Sequence, residues 1–277
     1  MNNSTVNFTT ESSTTYSFES LDIFEMYACS FNFLLGLPTH SYVIWLIITT
    51  GSGVASVFFK LNLSVCEIGI CVTSLIFILC FWFPSLTTLM WFLMGISITG
   101  RPLFQCLICV ERYLAVVHPV TFLKYKPLRY RVICCTVAWI ITLCSCILSM
   151  FLLPNTIEQT LFFTTQFLLF LSIQLFCLVA VLRALKQSGP GERGREREEE
   201  NHIKRRAFNV ILISTVNIFF IYAPYTITGL FNIVTKQNFR VLWCICTFCF
   251  LMAGFVQPVL YLYHAEKLTC LCYSKVM

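Results

Sequence analysis

Apolar residues fall into seven long runs that short polar segments separate. Each run reaches the roughly 20 residues that a helix needs to cross a hydrocarbon layer of ~30 Å. The runs cover approximately residues 27–55, 59–83, 88–117, 129–153, 160–185, 206–233 and 241–263. Because lipid offers no partners to an open strand edge, each run is predicted to be helical. The alternating segments of about ten residues that build a membrane β-barrel are absent. The pattern therefore predicts an all-α fold, a bundle of seven transmembrane helices.

Composition supports a membrane location. Hydrophobic residues make up 57% of the 277 positions and charged residues only 12%, with a mean hydropathy of +0.78. A soluble domain of this size needs more polar surface to cover its core. The net charge of +6 follows the connecting segments, so it indicates topology and no nucleic-acid partner is expected.

The basic residues lie on one side of the predicted bundle. Lys60, the cluster within 124–131, the run 183–206 and the carboxyl-terminal tail share that side, whereas acidic residues precede the first run. The positive-inside rule predicts an outer amino terminus and a cytoplasmic carboxyl terminus in a multi-pass plasma-membrane protein. The predicted organisation is a disordered outer tail (1–26), the bundle (27–263, with a cytoplasmic linker at 186–206) and a cytoplasmic tail (264–277).

Modification sites are predicted in both tails. Asn2, Asn3 and Asn7 each begin an Asn-x-Ser/Thr sequon in the outer tail, although such sequons also arise by chance in Ser/Thr-rich segments. The tail 264–277 is predicted to form a short amphipathic helix on the cytoplasmic membrane surface. It places Cys270 and Cys272 for palmitoylation, with inert thiols as the alternative.

Few ionisable residues lie inside the runs, and such residues are functional by default. Glu67 lies seven residues after Lys60, about 10 Å into the membrane at ~1.5 Å per residue. Arg101 lies eleven residues before Arg112, about 16 Å from the same face. The two long side chains are predicted to form a central ion pair; the alternative is that Arg101 points elsewhere.

Residues 109–119, Cys-Val-Glu-Arg-Tyr-Leu-Ala-Val-Val-His-Pro, carry a motif at the basic end of the third run. The motif resembles the cytoplasmic end of the third helix in rhodopsin-like (class A) G-protein-coupled receptors. Further resemblances are 61–67 in the second run, Trp139 in the fourth, Pro224 in the sixth and 258–261 in the seventh. The residue sequence of 116–131 resembles that of the nucleotide and protease-activated receptor branch.

The resemblance implies a transducer site and a switch at the cytoplasmic end. These residues are Glu111, Arg112, Tyr113, Val116, Pro119, Phe122, Lys204, Tyr222, Pro224, Gln257, Pro258 and Tyr261. Prolines weaken backbone bonding within the sixth and seventh helices and give each a place to bend.

The chain also departs from the family pattern. His40 stands where the family has Asn, Tyr222 replaces a Trp, and Gln257 replaces the Asn or Asp before a proline. No cysteine precedes the third run in a position for the usual outer disulfide. Family geometry makes Cys29 and Cys244 neighbours, and two reduced thiols are preferred over a compensating disulfide. The other cysteines are interpreted as packing residues, with no metal site.

The resemblance implies an outward-facing ligand cavity among the third, sixth and seventh helices. The candidates lie on turns inferred to face inward: Trp91, Met94, Gly95, Ile98, Tyr222, Tyr225, Thr226 and Phe248. The outer halves of the helices hold no Arg or Lys for a nucleotide or carboxylate, and no inner acid for an amine. The expected ligand is apolar or weakly charged.

The function expected from the sequence is a cell-surface receptor that couples this unknown ligand to a heterotrimeric G protein. The alternative is a non-signalling seven-helix protein that acts as a dimer partner or scaffold for other receptors. A channel or transporter is disfavoured because paired broken helices are absent. No enzyme motif is present and no cofactor is expected.

Overall fold

The computed structural model describes residues 8–49, 54–125, 127–152, 156–186, 194–236, 239–259 and 261. In this part of the chain, seven helices are long and apolar enough to cross a membrane. They are Ser20–Thr49, Phe58–Cys80, Pro84–Val117, Leu128–Phe151, Thr160–Ala184, Phe208–Thr235 and Arg240–Val259. The predicted seven-helix fold class is confirmed.

Short irregular turns interrupt the first and third spans. The α-helices run Phe8–Phe31, Leu37–Thr49, Val54–Cys80, Thr87–Gly95, Arg101–Val117, Pro119–Tyr125, Leu128–Leu152, Thr156–Lys186, Gly194–Thr235 and Arg240–Gly254. Asn32–Gly36 and Ile96–Gly100 are π-helical, and Pro84–Leu86 is a 3₁₀ turn. A π-helical turn holds an extra residue, so it rotates the following side chains relative to a regular helix.

Two segments that the sequence predicted to be irregular are helical. The first helix begins at Phe8, inside the tail predicted to be disordered, because no Pro or Gly interrupts the chain before Gly36. The sixth helix begins at Gly194, inside the predicted linker, and no Pro or Gly follows until Pro224. The sequons, Cys270, Cys272 and the predicted surface helix lie outside the described residues.

The third span forms the centre of the bundle. In its most apolar window 67% of the residues are buried, against 22–44% in the other six spans. Gly95 lets the third span approach the fourth closely, since a Cβ there would collide with the backbone of Cys146. Trp139 Nε1 donates to Asn62 Oδ1 at 2.9 Å and joins the fourth span to the second. Side chains of the third span can therefore contact most of the neighbouring spans.

The bundle has two distinguishable ends. We call the end near Asp22 and Arg240 the amino-terminal end, because the first helix enters there. We call the opposite end, which carries Lys60, Arg112 and Arg131, the basic end.

Candidate functional site

A buried ion pair lies at the centre of the bundle. Arg101 Nε and Nη2 donate to the two carboxylate oxygens of Glu67 at 2.7 and 2.6 Å, a bidentate geometry. Arg101 Nη1 donates to the carbonyl oxygen of Phe250 at 2.7 Å. Arg101 is 0% exposed and Glu67 is 3% exposed. One guanidinium thus joins the second, third and seventh spans.

The seventh span fits closely around this pair. The Arg101 guanidinium carbon lies 4.2 Å from the centroid of the Phe250 ring, in a cation–π arrangement. A Cβ on Gly254 would stand 3.0 Å from Arg101 Nη2 and 3.1 Å from Glu67 Oε2. His40, which stands in the first span where the resemblance predicts Asn, is also buried. Its Nδ1 has no hydrogen-bond partner among the described residues. The pair is therefore enclosed on the side of the seventh span.

Glu111, at the basic end, pairs with Arg131. Glu111 Oε1 lies 2.7 Å from Arg131 Nη2, and both side chains are buried. Glu111 pairs with Arg131 and not with the neighbouring Arg112, because adjacent residues on a helix do not face each other. Arg112 Nε and Arg131 Nη1 are buried without a hydrogen-bond partner in the described part of the chain.

Most of the other predicted transducer residues lie at the end of the same helix as Arg112 or on the helix that follows it. Tyr113 hydroxyl lies 3.0 Å from His118 Nε2, and its ring contacts Phe176 edge-on. Val116 packs against the buried cluster of the third, fifth and sixth spans that includes Cys177 and Ile211. Pro119, the first residue of the helix Pro119–Tyr125, is exposed, and Phe122 within it is half-buried. The structure does not describe the side chain of Lys204.

A cavity of about 240 Å³ opens beside these residues at the basic end. Its walls come from the second, third, sixth and seventh spans and are rich in amides and hydroxyls: Lys60, Leu63, Gln105, Ile108, Asn209, Val210, Ile213, Ser214, Asn217, Val256, Gln257 and Tyr261. Gln105 is 5% exposed, and its Oε1 has no partner among the described side chains. Gln257 and Tyr261, both predicted switch residues, line this cavity, and Pro258 is buried next to Gln257.

A second cavity, of about 110 Å³, lies at the amino-terminal end. Six spans contribute to it: Glu25, Cys29, Ile70, Thr73, Ser74, Phe77, Met90, Met94, Ser97, Ile98, Phe163, Tyr225, Thr247, Phe250 and Leu251. Met94, Ile98 and Tyr225 are predicted pocket residues. The first and second spans contribute as well, which the sequence did not indicate.

Five predicted pocket residues are not among those that line this cavity. Gly95 faces the fourth span, and the carbonyl of Trp91 accepts from Ser149 of that span. Tyr222 donates its hydroxyl to the carbonyl of Ile98. Thr226 is buried, and Phe248 contacts Phe24 with 40% of its surface exposed. Met90 and Met94 precede the π-helical turn Ile96–Gly100 and line the cavity, whereas Trp91 and Gly95 lie on other sides of the same helical segment.

Polar contacts close the rim of this cavity. Arg240 Nη2 bonds to Asp22 Oδ1, and Cys244 Sγ donates to Glu25 Oε1 at 3.2 Å. Cys29 and Cys244 are free thiols. The ends of the first and seventh spans are thus joined by carboxylate contacts. In the described residues, no group of three His, Cys, Asp or Glu side chains has a geometry that could hold a metal ion.

Comparison with known proteins finds one similar receptor. No family model matches the chain. The human chemokine XC receptor 1 is 26% identical over 226 residues, which are 71% of this chain and 61% of that receptor. This likeness agrees with the seven spans and with Glu111-Arg112-Tyr113 at the basic end of the third.

The seven spans and this likeness support a resemblance to the rhodopsin-like G-protein-coupled receptors. The likeness and the seven spans support a multi-pass membrane protein. The match spans about three fifths of the length of the human receptor. The similarity to the nucleotide and protease-activated branch stays a prediction.

Proposed function

We propose that the receptor binds a small, largely apolar or weakly charged ligand at its amino-terminal end and couples it to a heterotrimeric G protein at its basic end. The amino terminus then faces outward and the basic end faces the cytoplasm. The observation that carries the proposal is the pair of cavities on opposite sides of the Glu67–Arg101 ion pair.

The walls of the outer cavity suit a small organic ligand. They are mainly methionine, phenylalanine and aliphatic side chains, with a few hydroxyl groups, as in most small-molecule sites. Its volume is comparable to the ~150 Å³ cavity that holds a benzene molecule in an engineered protein. The ligand is therefore expected to be compact.

The sixth span connects the two cavities. Tyr225 lines the outer cavity, and Val210, Ser214 and Asn217 of the same helix line the inner one. Pro224 lies between them, where it removes a backbone hydrogen bond and weakens the helix. Contact of a ligand with Tyr225 can therefore tilt the cytoplasmic half of the sixth helix.

Outward movement of that half would enlarge the space beside Arg112. The Nε of this guanidinium is buried and has no partner among the described residues, so a carbonyl or carboxylate of a transducer can bind there. Tyr113, Val116, Pro119, Phe122 and Lys204 would form the rim. Gln257 and Tyr261, in the wall of the inner cavity, would adjust as the seventh helix bends at Pro258.

The central ion pair also has a functional consequence in this proposal. In related receptors, the acid of the second helix helps to hold a sodium ion. Here Arg101 supplies the positive charge at Glu67 directly, so the receptor should respond to ligand without sodium. The three-point attachment of Arg101 would serve as a fixed centre for the movement of the sixth helix.

Nucleotide exchange on purified G proteins tests the proposal. The full chain in lipid vesicles is mixed with a representative of each G-protein class, and exchange is compared with receptor-free vesicles. At least one class should respond, and Arg112→Ala should reduce the rate by about tenfold or more. Arg129→Ala is the matched control, since Arg129 is exposed and lies over Tyr130. Exchange with no class, alone or with compounds from a lipid and odorant library, would favour the non-signalling dimer partner.

A further inference from the structure

Glu25 is the charged residue of the outer cavity. It is half-buried on the first helix, one turn before Cys29, which lines the same cavity. Every other residue in the wall is apolar, a thiol or a hydroxyl-bearing side chain. The net charge of the cavity wall is therefore negative.

The carboxylate of Glu25 has a weak partner. Its contact in the described structure is the thiol of Cys244, which donates to Oε1 at 3.2 Å. Arg240, a cation at the rim, bonds instead to Asp22, one turn earlier on the same helix. Among the described residues, no Lys, Arg or His nitrogen lies within 4.0 Å of the Glu25 carboxylate. Glu67, Glu111 and Asp22, in contrast, each have an arginine nitrogen within that distance. A carboxylate withdrawn from water is stabilised by a counter-charge, and none of the described residues supplies one within this distance.

Most hydroxyl groups of the wall are already engaged within the protein. Thr73 donates to the carbonyl of Gly69, and Ser74 donates to the carbonyl of Ile70. Tyr225 and Thr247 share a hydrogen bond of 3.1 Å. Glu25 therefore has the largest spare capacity to accept hydrogen bonds in this cavity, and a ligand needs a donor group to use it.

We propose that the ligand of this receptor is a small organic amine whose ammonium group pairs with Glu25 and whose apolar body fills the cavity. This deepens the proposed function, because it names the head group of the ligand that the outer cavity takes. The rings of Phe163, Tyr225 and Phe250 in the wall suit the apolar body, and an aromatic face also attracts a nearby ammonium group. A volume of about 110 Å³ admits a body of roughly one ring or a short alkyl chain.

Two series of probes with matched bodies and different head groups test the ligand class. Phenethylamine, phenethyl alcohol and hydrocinnamate share a phenyl body; hexylamine, hexanol and hexanoate share an alkyl body. Each probe is titrated against the purified full chain in lipid nanodiscs, and the shift of the thermal unfolding temperature gives an apparent Kd. For at least one body, the amine should have an apparent Kd at least about tenfold lower than that of the matching alcohol. The matching carboxylate should bind more weakly than the alcohol.

Variants of the outer acids assign the effect to Glu25. Glu25→Gln keeps an acceptor for Cys244 and removes the charge, and it should weaken amine binding by about tenfold while leaving the alcohol unchanged. Asp22→Asn is the matched control, because Asp22 bonds Arg240 and is not in the cavity wall. If Glu25→Gln does not fold, Glu25→Asp provides the second test, since its shorter reach should weaken only the amines.

Three results would overturn the proposal: equal binding of amines and alcohols, amine binding that persists in Glu25→Gln, or no stabilisation by either amine. Nucleotide exchange on the same samples separates it from the proposed function. Amine binding without any nucleotide exchange would support the amine site and contradict coupling to a G protein. Exchange that only the neutral probes stimulate would keep the coupling and contradict the amine.

Discussion

The centre and the basic end of the bundle both contain a buried arginine–glutamate pair, but the two pairs are satisfied to different degrees. Arg101 uses all three of its nitrogens, on Glu67 and the Phe250 carbonyl. At the basic end, Glu111 bonds Arg131, while Arg131 Nη1 and Arg112 Nε have no partner in the described structure. The cavity at this end is also polar, and Gln105 Oε1 in its wall has no partner among the described residues.

This difference indicates which part of the receptor is fixed and which part can rearrange. A fully bonded buried network holds one geometry, whereas a partly bonded one has competing arrangements of similar free energy. We therefore expect the centre to act as a brace and the basic end to act as the switch. The following predictions test this contrast, beginning with the largest effect.

Arg101→Ala should have the largest effect on stability. It leaves the Glu67 carboxylate buried without a counter-charge, and loss of one partner of a buried pair costs about 3–5 kcal/mol. The loss is measured by thermal unfolding of the purified receptor and by its cell-surface level. Glu67→Gln/Arg101→Gln should recover part of it, because neither residue then carries a charge. Strictly additive losses in this double variant would show that the two side chains do not stabilise each other.

Gly254→Ala should have an intermediate effect through the same pair. The new Cβ would lie 3.0 Å from Arg101 Nη2, so the guanidinium must move from its bidentate position. Crowding of this kind typically costs about 1–3 kcal/mol. Gly69→Ala is the matched control, since its Cβ would meet Ile96 at an ordinary 3.4 Å. Equal unfolding temperatures for the two variants would contradict a tightly enclosed centre.

Arg131→Ala should destabilise the receptor less than Arg101→Ala, by about 1–3 kcal/mol. Arg131 joins Glu111 through one nitrogen, whereas Arg101 donates two hydrogen bonds to Glu67 and one to the Phe250 carbonyl. The long side chain of Arg112 can also swing toward the carboxylate that Arg131→Ala leaves behind. Because Arg112 is then drawn toward Glu111, basal nucleotide exchange should fall. Thermal unfolding and exchange are measured together, with Arg129→Ala as control. A stability loss as large as that of Arg101→Ala would remove the contrast between the two regions.

The smallest expected effect is that of sodium. With Arg101 on both oxygens of Glu67, replacing sodium by potassium or a large organic cation at constant ionic strength should leave ligand affinity and unfolding temperature unchanged. A sodium-specific shift in either quantity would show that the ion reaches Glu67.

The sequence predicted depth in the membrane better than it predicted direction around each helix. Glu67 and Arg101 were matched because rise per residue converts spacing into depth. The rotational position of Trp91 and Gly95 was not predictable in this way, since the π-helical turn Ile96–Gly100 breaks the regular periodicity just after them.

Other features depend on how separate helices pack together. Arg131 was interpreted as a topology charge, because nothing in its neighbourhood in the sequence points to Glu111 on another span. Glu25 was assigned to the outer tail, since a helix extending back to Phe8 was not expected. The hydrogen bond that the Phe250 carbonyl accepts could not be predicted from the identity of the residue. Contacts between spans, including those around Arg112, follow from side-chain packing that one sequence does not encode locally.

Hydrogen–deuterium exchange with and without a coupled G protein tests the contrast most directly. Amide exchange reports local opening, so it can compare the two regions in one sample. Peptides from the basic end, within 108–117 and 208–217, should change their protection when the G protein is added. Peptides around the brace, within 98–105 and 247–254, should not change. Equal change in both regions, or change confined to the centre, would contradict a fixed brace and a mobile basic end.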